Sequence, residues 1–106
     1  MITGSATLSI DNDTLALSGV LDASTVLELC DQGREWLAGA APELARIDLA
    51  GVSYSSSAGI ALLLAWQRAA ERAAKHIVII NLPAQMAALV RVGGLEEVFG
   101  AVASGG

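Results

Sequence analysis

The chain reads as an α/β domain: a mixed four- to five-stranded sheet with helices packed mainly on one face. Two observations predict it. The apolar period switches back and forth along the chain between two and about 3.6, and the helical stretches are long enough to cross between parallel strands. Right-handed crossovers then place the helices on a common face. A third observation fits: 54% of the 106 residues are apolar while 4% are aromatic, so the core rests on Ala, Leu, Val and Ile. That length suits one core, so residues 1–106 are expected to form a single domain.

Taken in order, Leu8 and Ile10 alternate with Thr7, Ser9 and Asp11, and Thr14 to Val20 alternate again, which predicts a hairpin turning at Asp11-Asn12-Asp13. From Asp22 the period changes. Val26, Leu29, Cys30, Gly33 and Leu37 recur at helical spacing, with Asp22 or Ser24 as the cap and an end near Gly39. Ala45 to Val52 predicts a strand buried on both faces and interrupted by Asp48. The polar cluster Ser53-Tyr54-Ser55-Ser56-Ser57 then leads into a helix from about Ala58 to Ala74. Ile77 to Ile80 is β-branched throughout and predicts a strand. Pro83 can open a helix over Ala84 to Val92, stopped by Gly93-Gly94. Leu95 to Val102 is expected to add a short helix or turn, and 103–106 to fray.

Charge and composition exclude several functions. A formal charge of -5 opposes binding to nucleic acid or to anionic headgroups. The longest apolar run, Ala58 to Trp66, is about half of the roughly 20 residues that span a bilayer, so no direct membrane insertion is expected. Met1 to Ile10 has no basic start and no continuous apolar stretch, which points to a cytoplasmic protein. Cys30 and His76 each stand alone, leaving no disulfide, no metal ligand set and no Ser-His-Asp triad. No P-loop or dinucleotide fingerprint is present, so neither a cofactor nor catalysis is expected. Trp36 and Trp66 fall at core-facing helix positions.

The informative stretch is Asp48 to Leu64, where a strand feeds through serines into a helix N-terminus. Ser56 or Ser57 can cap the free N–H groups there, and the helix dipole would favour negative charge on an exposed serine. On the helix, Gln67, Arg68, Glu71 and Lys75 mark the solvent face, and Leu62, Leu63, Trp66, Ala69 and Ala73 the buried one. Ser57, Ile60, Ala61 and Leu64 fall with the first group. An apolar strip therefore runs from the serines to Arg68, a docking surface made of Ser56, Ser57, Ala58, Ile60, Ala61, Leu64 and Arg68.

The strand Leu15 to Asp22, the block Asp48-Leu49-Ala50-Gly51-Val52 leading to Ser57-Ala58-Gly59-Ile60, and the late Pro83, Leu89, Gly94-Leu95 and Phe99 resemble a STAS domain, the fold of bacterial anti-sigma factor antagonists. Within it, Asp13 to Gly19 and Gly59 to Leu64 look most like the MlaB branch, cytoplasmic STAS subunits of phospholipid ABC transporters that maintain outer-membrane lipid asymmetry. The resemblance implies a non-catalytic accessory protein, held at the inner membrane through an MlaF-like cytoplasmic ATPase subunit. The alternative it implies is an antagonist that binds an anti-sigma factor kinase and is switched by phosphorylation. Ser57 occupies the place of that family's phosphoacceptor, but Ser56 stands where the family has an aspartate. This departure favours the transporter reading.

Overall fold

The computed structural model describes residues 5–92 and 102–103. The elements are β1 (Ala6–Asp11), β2 (Thr14–Leu21), α1 (Val26–Ala38), β3 (Leu44–Ser55), α2 (Ser57–Arg72), β4 (His76–Ile80), α3 (Ala84–Val92) and β5 (Val102–Ala103). They build a five-stranded sheet in the order β1-β2-β3-β4-β5. β1 pairs antiparallel with β2, and every later pairing is parallel. Successive parallel strands laid side by side by right-handed crossovers put α1, α2 and α3 on the same face, with α2 in the middle. The expected mixed sheet with helices on one face is the observed fold.

The hairpin closes as the alternation predicts. Asp11 pairs with Thr14, and Asn12 turns the chain at φ 56, a left-handed conformation that asparagine tolerates better than most residues. Side chains of one strand phase, Leu15, Leu17 and Leu21 of β2 with Ala45, Ile47 and Leu49 of β3 and Ile77 and Ile79 of β4, form the floor of the core. Leu29, Trp36 and Leu37 of α1, Leu62, Leu63 and Trp66 of α2, and Met86 and Val90 of α3 cover it. Both tryptophans are buried, as their helix positions imply. The Trp66 indole N–H donates to the Cys30 carbonyl at 3.1 Å and ties α2 to α1.

β3 departs from expectation in two ways. It is longer than Ala45 to Val52, and it is not buried on both faces: its inward residues are Ala45, Ile47, Leu49, Val52 and Ser55, with exposed residues between. The helices cover only one face, so a central strand keeps a half-buried pattern. The phase slips because β3 carries an extra residue opposite Ala16–Ser18 and another opposite Gly19–Val20. The first bulge turns Val52 inward in place of Gly51, and the second restores the original parity, so that Ser55 is again inward at the strand's end. The readings for Gly93-Gly94, for Leu95 onward and for the 103–106 tail lie outside the described residues, apart from the short β5 backbone.

The α2 C-terminus closes in a Schellman arrangement. Ala74 stands at φ 58, its N–H donates to Glu71 at 3.1 Å, and the Lys75 N–H donates to Ala70 at 2.8 Å. Lys75 Nζ then reaches the Gly39 carbonyl at 3.0 Å, joining the ends of α1 and α2. No described helix is long and apolar enough to cross a membrane.

Candidate docking surface

Parallel strands with crossover helices bring the N-termini of α1, α2 and α3 to one rim, at the carboxyl ends of the strands. The serine cluster lies there, and its three members do different things. Ser55 is buried at 3% exposure, and its hydroxyl donates to the Ser56 carbonyl at 2.8 Å. Ser56 is the N-cap of α2: at φ −85, ψ −176 its hydroxyl accepts the Ala58 N–H at 3.1 Å. Ser57 is the first helical residue and is exposed. The capping role thus falls to Ser56, leaving the Ser57 hydroxyl turned to solvent beside the unpaired N–H groups of a helix start.

The turn is held on three sides. The Ser56 N–H donates to the Leu21 carbonyl of β2 at 2.9 Å. The Ser55 N–H donates to Gln85 Oε1 of α3 at 2.7 Å. From above, Gly59 sits so close to Ser55 Oγ and Leu21 that a Cβ at 59 would overlap the hydroxyl. Asp48 organises the strand behind it: its carboxylate accepts the Ala50 N–H at 2.9 Å and the Asn81 side-chain amide at 3.0 Å. At the α1 entry, the Asp22 carboxylate accepts the Ser24 hydroxyl at 2.6 Å and the Ser24 N–H at 2.9 Å. Those bonds, the hydroxyl first, hold the Asp22 carboxyl below the usual aspartate value. Asp22 therefore orders the loop before the helix, while Thr25 is the residue at the N-cap position.

Along α2, the residues of the expected strip separate by exposure, and Leu64 packs in part against the core. Ser57, Ala61 and Arg68 are exposed and Leu64 is half-buried; at offsets of four, seven and eleven they share one helix face. Ala58 is half-buried beside the cap. Ile60 is not on this surface: it is 6% exposed and part of the core. The correction has a physical cause. Ala69 and Ala73 line the groove against Asp31, Arg34 and Glu35 of α1, and Ile60 lies on the opposite flank, where α3 packs against α2. A middle helix with neighbours on both sides has a wider buried arc than an isolated amphipathic helix. Gln67, two turns beyond Ile60, is drawn in for the same reason and is half-buried, with Oε1 shielded from solvent and unpaired among the described residues.

Three residues of this rim carry no signal in helical periodicity. Leu27 near the start of α1 is 75% exposed and Tyr54 at the end of β3 is 49% exposed, two large apolar side chains open to solvent. Gln85 is the third. Its spacing in α3 marks it only as a polar residue off the core face. Among the described residues no group of His, Cys, Asp and Glu could hold a metal ion.

The family profile described as Mlab, STAS domain matches residues 6–102. The chain belongs to the STAS family, in its MlaB-like branch. Solved STAS structures share the fold at low identity. The anti-sigma factor antagonist SpoIIAA in its unphosphorylated form superposes with a TM-score of 0.67 at 19% identity, covering 92% of this chain and 86% of that one. An anti-sigma factor antagonist from Mycobacterium paratuberculosis gives 0.72 at 18% identity over 94% and 86%. The Bacillus cell fate determinant SpoIIAA in its phosphorylated form gives 0.64 at 21% identity over 85% and 84%. No curated protein matches the chain.

Proposed function

We propose that this STAS domain, acting as one unit over residues 1–106, is a non-catalytic accessory subunit that docks on the ATPase subunit of a phospholipid ABC transporter. Through that partner it sits in the cytoplasm against the inner membrane and serves outer-membrane lipid asymmetry. The observation that carries the reading is the face Ser57, Ala61, Leu64 and Arg68: a hydroxyl at a helix start, a small residue that allows close approach, a half-buried apolar side chain and a guanidinium at the rim. The branch of the family supports the choice of partner. Ser56 supports it too, since it stands where the resemblance implies an aspartate beside a phosphoacceptor. Ser56 and Ala58 shape the helix start, and Ile60 belongs to the core. Co-expression with the ATPase subunit of the transporter from the same genome, followed by affinity capture, tests the reading.

A second reading is favoured by one observation. The solved relatives are anti-sigma factor antagonists, one of them in a phosphorylated form, and Ser57 is an exposed hydroxyl at a helix N-terminus, where phosphate is electrostatically welcome. In that case the partner is an anti-sigma factor kinase. Intact-mass measurement after incubation with that kinase and ATP separates the two.

A further inference from the structure

The strands beside the serine turn end at different places. β2 stays with β3 to the end, Leu21 opposite Ser55, whereas β4 leaves at Ile80, opposite Asp48. Among the described residues, β3 therefore has a strand on one side only from Leu49 to Ser55. The Ser56 N–H points to β2, so the Ser55 N–H, one residue earlier, points to the side that β4 has vacated. A buried residue with an unpaired N–H is costly.

The connection from β4 to α3 supplies the missing partner with side chains. Asn81 turns the chain at φ 57 and donates to Asp48. Gln85, the second residue of α3, places Oε1 at 2.7 Å from the Ser55 nitrogen. The buried face of α3, Met86 and Val90, anchors that helix in the core. Ser55 in turn holds Ser56 through its hydroxyl, and Ser56 caps α2. A continuous series of hydrogen bonds thus links the α3 side chain to the turn from which Ser57 projects.

We propose that Gln85 is a positioning residue for the docking surface: it replaces the absent strand at the end of β3 and fixes the turn that presents Ser57. This rests on the docking reading in taking Ser57 as a contact residue. A partner that shifts α3 then changes how Ser57 is displayed without touching it.

The test needs no partner, so its failure bears on Gln85 alone. Amide hydrogen exchange is followed by NMR for Ser55, Ser56 and Ala58 in the wild type, in Gln85→Met, which keeps the length but has no comparable acceptor, and in Gln85→Glu, which keeps the oxygen. Removing one hydrogen bond predicts that Ser55 exchanges roughly fivefold faster in Gln85→Met, with Ala58 following and Leu15, Ile47 and Leu63 unchanged. Gln85→Glu restores the wild-type rate. Equal Ser55 protection in all three proteins, or acceleration in Gln85→Met that spreads equally to Leu15 and Ile47, overturns the proposal.

Discussion

Gly33 of α1 lies directly against the indole of Trp66 of α2. A Cβ at position 33 would overlap ring atoms Cε2, Cζ2 and Nε1. The contact sets the distance between the two helices, because Trp66 is fully buried, ties its N–H to Cys30 and has no room to turn away.

Gly33→Ala is therefore expected to destabilise the fold, although alanine is the better helix former. Overpacking costs about 1–3 kcal/mol, against a helix-propensity gain of about 1 kcal/mol, leaving a net loss of up to about 2 kcal/mol. Urea denaturation measures it. A stability equal to or above wild type contradicts the packing.

Ala74→Gly is expected to act in the opposite direction. Ala74 holds the left-handed position of the Schellman turn, where a Cβ costs about 1 kcal/mol. Glycine relieves that strain but adds freedom to the unfolded chain, so the expected gain is about 0.5 kcal/mol, read as a higher urea midpoint.

The Asp22 carboxyl titrates below the usual aspartate value because it accepts hydrogen bonds, first from the Ser24 hydroxyl and then from the Ser24 N–H. Its folded value is depressed, so its stabilising effect is complete above the unfolded-state value and is lost as pH falls through the folded value. NMR titration is expected to show Ser24→Ala moving Asp22 back toward the ordinary range. In Asp22→Asn, the loss of stability in this acid window shrinks.

Much of this fold was legible in the residues. The hairpin at Asn12 and the start of α3 follow from alternation and from Pro83, because each is set by neighbours in sequence. β3 was not, since its two bulges take Val52 out of the strict alternation and depend on how β2 pairs with it. Ile60 falls on the solvent face by spacing alone but is buried in the core, because the spacing within α2 holds no trace of the elements that pack on both its flanks. Gln85 was missed because its bond to Ser55 joins residues thirty apart through one side-chain oxygen. The exposure of Ser57 is legible because it is a matter of local helix geometry.

Ser57 is expected to remain unphosphorylated. Incubation of the purified chain with lysate and ATP, followed by intact-mass and site mapping, is expected to give no stoichiometric product at Ser57. Complete modification there would reverse the order of the two functional readings.

The most direct measurement is capture of the co-expressed ATPase subunit by wild type, Ser57→Arg and Leu64→Asp, with circular dichroism recorded on each. A bulky charge or an unpaired carboxylate in a tight interface centre costs 2 kcal/mol or more, about thirtyfold in affinity. The expected result is stoichiometric capture by wild type and loss of capture by both variants with unchanged spectra. Undiminished capture by both variants would move the interface off this face of α2.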